Sequence, residues 1–154
     1  MTNSPHVMID EARFYEDIAD ELVRGAVGAL DGASATWERF AVPGALEIPA
    51  AIHFAVEAAK GAPTRRPFDG FVALGCVIRG ETTHYDYVCE ESARGIQDLA
   101  LRHSLAIGYG IVTVENDAQA WERVKVDRRN KGGDAARACL AMIELKRRLG
   151  LAAR

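Results

Sequence analysis

Apolar positions in this chain switch between two spacings, and the switches mark its elements. Val7-Met8-Ile9 is a short unbroken apolar run, closed by the polar stretch Asp10-Glu11-Ala12-Arg13. From Phe14 the spacing changes. Phe14, Ile18, Leu22, Ala26 and Leu30 recur every fourth residue, with Tyr15, Val23 and Val27 beside them. Such spacing lines one wide face of a helix, and Gly32 stands where a helix stops. Thr36 to Val42 reads as a short strand, ended by the turn pair Pro43-Gly44. Ile48, Ile52, Ala55, Val56 and Ala59 outline a second helix that closes at Gly61. Pro49 has no amide hydrogen to donate and fits only a first turn, which sets the start near Leu46 to Ile48.

A polar connection, Gly61 to Pro67, leads to the continuous apolar run Phe71 to Ile78. A run of that kind predicts a strand covered on both faces. Tyr85, Val88, Ser92, Ile96 and Leu99 predict a third helix, and Leu105 to Val114 another buried strand. Asn116-Asp117 can cap a short helix through Arg123. Asn130 can cap the last helix, with Ala135, Ala138, Cys139, Met142, Ile143 and Leu149 on its apolar face.

The resulting order is β-α-β-α-β-α-β-α-α. Alternation of this kind predicts a parallel sheet with helices on both faces. Ligands of such folds sit outside the carboxyl ends of the strands. The segments to read for chemistry are therefore Asp10–Phe14, Val42–Glu47, Cys76–His84 and Val114–Arg123.

Length and composition narrow the class. The chain has 154 residues, the size of one domain, so residues 1–154 are expected to fold as a single unit. Its 19 basic and 22 acidic residues leave a net charge of −3, which argues against nucleic-acid binding through bulk positive charge. No apolar run reaches the roughly 18 residues of a membrane span. Met1 to Asp10 carries no signal-peptide pattern. Cys76, Cys89 and Cys139 are odd in number and lack zinc spacing, which fits a reducing cytoplasm and predicts no metal site.

Several motifs invite chemistry. Gly75-Cys76-Val77-Ile78-Arg79-Gly80-Glu81-Thr82 has the glycine spacing of a P-loop, but Glu81 occupies the lysine position and would repel a nucleotide phosphate. The loop still reads in two ways. Its glycines and the helix start at Thr82-Thr83-His84 can cradle a small anion, or can form a plain glycine turn with threonine caps. Gly108-Tyr109-Gly110 opens a dinucleotide fingerprint that Thr113 breaks, so these glycines are expected to serve close packing and no nicotinamide cofactor is expected.

His84 is the best acid/base candidate, because an imidazole both gives and takes protons near neutral pH. His6, His53 and His103 lack comparable neighbours. Cys76 reads as a small core hydrophobe, and Cys89 as pointing away from His84. Arg123, Lys125, Arg128, Arg129 and Lys131 read mainly as a solvated basic surface, from which one arginine can supply a bidentate phosphate contact.

Four blocks in order carry a family resemblance over nearly the whole chain. They are Val42-Pro43-Gly44-Ala45-Leu46-Glu47-Ile48-Pro49; Gly75 through Val88, including Arg79-Gly80-Glu81-Thr82-Thr83-His84-Tyr85-Asp86-Tyr87; Gly110 through Asn116; and Asn130-Lys131-Gly132-Gly133-Asp134. The chain resembles the 6,7-dimethyl-8-ribityllumazine synthases of riboflavin biosynthesis. The resemblance implies a flavodoxin-like three-layer α/β/α sandwich with a four-stranded parallel sheet. It implies a cofactor-free condensation of 5-amino-6-(D-ribitylamino)uracil with 3,4-dihydroxy-2-butanone 4-phosphate. It also implies roles for residues. Phe14 would stack on the pyrimidine ring, and Ala45, Leu46 and Glu47 would hold the ribityl chain and ring edge. Cys76, Val77 and Ile78 would bind the ring through the main chain, Glu81 and Thr82 would grip the phosphate, and His84 would transfer protons. Tyr109 and Arg123 would come from the neighbouring subunit, Arg123 meeting the phosphate. Lys131 and Asp134 match positions near that site.

Three departures stand out. Tyr15 replaces an asparagine common among relatives, and Tyr109 a phenylalanine; altered affinity is expected rather than lost activity. Glu81 is tolerable beside a phosphate only if its side chain points to solvent. The stretch Lys125 to Asn130 lacks the glycines of the capsid-forming members, which implies a free homopentamer with sites between subunits. The rival expectation is a non-catalytic lumazine or flavin carrier of the same fold, which would need neither His84 nor Arg123.

Overall fold

Strand and helix alternate in the computed structural model, which describes residues 4–61 and 65–151. The elements are β1 (His6–Ala12), α1 (Glu16–Gly32), β2 (Thr36–Val42), a 3-10 turn (Ala45–Glu47), α2 (Ile48–Gly61), β3 (Gly70–Ile78), α3 (His84–His103), β4 (Ile107–Val114), α4 (Asp117–Val124) and α5 (Lys131–Arg148). The strands form one parallel sheet in the order β2-β1-β3-β4. The winding reverses between β1 and β3, the flavodoxin-like arrangement that opens a crevice at their carboxyl ends. Of the polar connection after α2, Ala62, Pro63 and Thr64 lie outside the described residues.

Side chains alternate across the sheet and so divide the core in two. Val7, Ile9, Val72 and Leu74 meet Leu22, Leu30, Val124 and Cys139 of α1, α4 and α5. Met8, Ala12, Phe71 and Ala73 meet Ile48, Ile52 and Ile96 of α2 and α3. Both asparagine caps form: Asn116 accepts from the Gln119 amide at 2.9 Å and Asn130 from the Gly133 amide at 3.2 Å. The paired glycines of β4 serve close packing, as expected. A Cβ on Gly108 would overlap the Ala135 carbonyl of α5.

Three boundaries differ from the hydrophobic pattern. Strand β1 runs on through Asp10-Glu11-Ala12, although that stretch is polar. Helix α1 begins at Glu16, so Phe14 lies in the preceding turn with 73% of its surface exposed, off the buried face. On α5 the buried face is Gly132, Gly133, Ala135, Ala136, Cys139 and Ile143. Ala138, Met142 and Leu149 lie outside it. Glycines explain the rotation: Gly132 lets the helix backbone meet the Leu22 carbonyl of α1, and Gly108 of β4 lets it meet the sheet at Ala135.

The acidic end of β1 is buried in two different ways. Glu11 is 3% exposed and accepts from Arg39 Nε at 2.7 Å, from Arg39 Nη2 at 2.8 Å and from Arg13 Nη1 at 2.7 Å. Burial alone would push its carboxyl up, but Arg39 and Arg13 hold it below the usual carboxylate value. Asp10 points to the opposite face, beside Met8 and Ala12 and in register with Phe40 and Ala73. It is fully buried, and among the described residues neither of its oxygens has a hydrogen-bond partner. Burial pushes its carboxyl from 3.8 up to about 8, so the folded chain keeps Asp10 protonated near neutrality.

A carboxyl whose folded pKa is raised gives up stability as pH climbs from its unfolded to its folded value. Asp10→Val removes that loss. The variant is expected to be more stable than the parent, with the gap widening by on the order of 1 kcal/mol per pH unit from about pH 4 to about pH 8. Denaturant melts across that range check it; a gap that stays flat with pH would show that Asp10 does not titrate this way.

Candidate active site

A cleft of about 450 Å³ opens where β1 and β3 part. One wall is the turn after β1. There Phe14 stands edge-on to Tyr15, with ring centroids 4.9 Å apart. Burial, then the neighbouring Cys76 and Asp117, push the Tyr15 hydroxyl upward. The opposite wall is the 3-10 turn that follows Pro43-Gly44, contributing Ala45, Leu46 and Glu47. Ala45 is buried toward Gly75, and Leu46 stands half exposed in the cleft.

The floor is the end of β3. Its pairing with β1 stops at Glu11–Leu74, whereas its pairing with β4 continues to Ile78–Val114. In a parallel sheet, alternate residues turn their amide and carbonyl groups to alternate neighbours. Half of the backbone groups from Gly75 to Ile78 therefore face the cleft instead of a strand. Cys76, Val77 and Ile78 all line it.

Beyond the floor the chain turns into α3. Arg79 anchors this loop: its amide donates to the Val114 carbonyl at 2.9 Å, and its guanidinium sits 4.3 Å above the Tyr85 ring. The same guanidinium pairs with Glu115 at 2.7 Å and Asp86 at 3.5 Å. Thr82 Oγ1 accepts from the His84 amide at 3.3 Å. Thr83, the N-cap residue, makes no side-chain cap, and the Asp86 amide donates to the Thr83 carbonyl at 3.0 Å. Of the first-turn amides, His84 and Asp86 are therefore engaged, and Tyr85 lies between them at the positive end of a 20-residue helix. His84, the first residue of α3, lines the cleft beside Gly80 and Thr82. Glu81 is exposed and does not line it, which meets the condition set by its charge.

Of the residues singled out from sequence, Phe14, Ala45, Leu46, Glu47, Cys76, Val77, Ile78, Thr82 and His84 share this cleft. Tyr109, Arg123, Lys131 and Asp134 do not. Tyr109 lies on β4; burial pushes its hydroxyl up, opposed by a hydrogen bond with Ser92. Arg123 Nη1 donates to the Gln119 carbonyl at 3.0 Å. Lys131 and Asp134 face each other at 3.7 Å in the first turn of α5, and Asp134 also holds Arg137. Pro43, Gly44, Gly80, Tyr85 and Val88 join the lining without having been singled out for it. Tyr85 and Val88 carried a signal, being three apart at the start of a helix whose first residue already pointed to the site. Among the described residues, no group of three His, Cys, Asp or Glu side chains is arranged to hold a metal ion.

The cleft has a flat aromatic side chain on one wall and a free backbone edge as its floor, with room for a planar ring between them. A helix start and one imidazole stand at its end, where an anion and a proton donor or acceptor can be met. The class these features define is an α/β fold with a polar cleft at its topological switch point. Comparison with known proteins then places the chain. The family profile of 6,7-dimethyl-8-ribityllumazine synthase matches residues 4–147. The chain is 58% identical to the 6,7-dimethyl-8-ribityllumazine synthase of Agrobacterium fabrum, over 96% of this chain and 99% of that one. It is 56% identical to that of Bartonella tribocorum, over 97% and 95%, and 59% identical to 6,7-dimethyl-8-ribityllumazine synthase 1 of Rhizobium meliloti, over 94% of each. The chain belongs to the 6,7-dimethyl-8-ribityllumazine synthase family.

Cys76 lines the cleft and Cys139 lies in the core, and burial acts on both thiols. Burial pushes both the Cys76 and the Cys139 thiols up to about 12, so neither offers a thiolate near neutrality. Native protein is expected to resist iodoacetamide at Cys76 and Cys139 under mildly alkaline conditions, and to react at both after unfolding. Peptide mass mapping checks this; rapid native alkylation of Cys76 would mean an activated thiol in the cleft.

Proposed function

We infer that this chain is a transferase that condenses 5-amino-6-(D-ribitylamino)uracil with 3,4-dihydroxy-2-butanone 4-phosphate to 6,7-dimethyl-8-ribityllumazine, in riboflavin biosynthesis. The observation that carries the reading is the gathering of three strand-end segments, around Phe14, Pro43–Glu47 and Cys76–Val88, into one cleft, in a chain of this family. The substrate amine condenses with the ketone carbonyl and water leaves; phosphate is then eliminated, and the ribityl-bearing nitrogen closes the ring on the remaining carbonyl carbon with loss of a second water. These steps need positioning and proton transfer more than a strong nucleophile. Phe14 stacks on the pyrimidine, Ala45–Glu47 take the ribityl chain and ring edge, and the free edge of Cys76–Ile78 reads the ring. Thr82 and the start of α3 take the phosphate, with Glu81 contributing its backbone, and His84 moves the protons. A mere carrier would have no use for a histidine held at the phosphate end of the cleft.

Tyr109, Arg123, Lys131 and Asp134 complete the site from a neighbouring copy in a homopentamer of single-domain subunits spanning residues 1–154. Their position away from the cleft of their own chain supports this reading. A half-open cleft also gains its second wall that way, and a head-to-tail ring makes every site equivalent. The three cysteines are unpaired, which supports a cytoplasmic location, where thiols stay reduced. No described helix is long and apolar enough to cross a membrane.

His84→Ala is expected to slow turnover at or below the low end of the roughly 10²–10⁴-fold range for a positioned acid/base, because water can relay the proton. Binding of a product analogue should persist. Steady-state assay of lumazine absorbance checks it, and unchanged turnover would remove His84 from the mechanism.

The shared site is tested by mixing subunits. His84→Ala and Arg123→Ala chains are unfolded together in equal amounts and refolded. Random assembly restores about one quarter of the sites if each needs one residue from each neighbour. Activity should then rise well above either parent refolded alone; no rise would place both residues within one chain.

A further inference from the structure

Phe14 is 73% exposed, so packing does not fix its ring; the backbone of the β1–α1 turn does. That turn hangs on the residue before it. The Arg13 amide donates to the Val42 carbonyl at 3.0 Å, tying the end of β1 to the end of β2. Its guanidinium reaches in two directions. Nη1 meets the buried Glu11 carboxylate at 2.7 Å, and Nη2 meets Asp20, on the second turn of α1, at 2.6 Å and the Glu16 carbonyl at 3.4 Å. Arg39 grips Glu11 from the other side, so the strand end of this bridge is fixed.

We propose that Arg13 is the positioning residue for Phe14, bracing the turn between the end of β1 and the first turns of α1 so that the ring is already placed when the pyrimidine arrives. A planar guanidinium can bridge two carboxylates and a carbonyl at once, whereas an ammonium on a flexible stem meets them less well. The bridge lies outside the cleft, and Arg13 touches no substrate. The proposal rests on Phe14 stacking on the pyrimidine.

Loss of Arg13 should not unfold the chain. Glu11 keeps both hydrogen bonds from Arg39, and the abandoned Asp20 and Glu16 are 67% and 77% exposed. The test measures kcat and the KM of each substrate for the parent, Arg13→Ala, Arg13→Lys, Phe14→Ala and the Arg13→Ala/Phe14→Ala double variant. Arg13→Ala is expected to raise the pyrimidine KM about tenfold, with the butanone phosphate KM unchanged within about twofold. Arg13→Lys should recover part of the loss. In the double variant, Arg13→Ala should add nothing to Phe14→Ala, because its effect runs through that ring. Equal increases in both KM values, or full additivity in the double variant, would overturn the bracing role. A Phe14→Ala protein with the parent's pyrimidine KM would overturn the stacking role, and the bracing role with it.

Discussion

A parallel sheet covered by helices on both faces meets solvent at its strand ends, and the order β2-β1-β3-β4 parts those ends between β1 and β3. This constraint arranges the rest. Continuous apolar runs along β1 and β3 need a helix layer on each side, and the connections that provide those layers leave every loop after a strand on one rim. Phe14, Ala45–Glu47, Cys76–Ile78 and His84 are far apart along the chain, yet each follows or ends a strand. The cleft is where they converge.

The rim is held by charge where apolar packing is thin. Asp10 and Glu11 are neighbours on one strand, both buried, and they exist in opposite states. Glu11 is held ionised by Arg39 and Arg13; burial keeps the proton on Asp10 near neutrality, and among the described residues its oxygens have no hydrogen-bond partner. Removing one partner of such a buried pair costs far more than the pair is worth net, which makes the doubled grip on Glu11 a safeguard for the strand end. A similar device holds the far rim, where Arg79 spans Tyr85, Asp86 and Glu115. Two of the three loops that line the cleft are thus braced by an arginine, Arg13 after β1 and Arg79 after β3.

The architecture was legible because its signal is periodic: the strand and helix order, both asparagine caps and the packing glycines of β4 stand as read. The misplacements have separate physical causes. Phe14 shares the fourfold spacing of α1, and spacing cannot reveal that its ring leaves the helix face. Asp10-Glu11 read as a loop because a polar pair gives no hint of distant Arg39 or of a carboxyl kept neutral. The buried face of α5 is set by Gly132 and Gly133, which carry no weight in any apolar pattern yet allow the closest approach. Which residues share the cleft followed from strand ends. Tyr109 and Arg123, expected from a neighbouring copy, do stand apart from the cleft of their own chain; that Lys131 and Asp134 on α5 stand apart as well carries no signal in the local sequence.

The free edge of β3 has a consequence for how such a protein changes over generations. From Gly75 to Ile78 the groups turned toward the cleft are amides and carbonyls, which every residue except proline carries in the same form. Cys76 is buried in one core layer, while Val77 and Ile78 are half-buried against the two layers at the cleft floor. A substitution at Cys76 is therefore judged mainly on how it fills the interior, while the backbone groups beside the cleft survive it. Two pressures that usually compete for one side chain act there on different atoms of the same residue. The packing at that position is free to drift while the polar edge next to it stays constant.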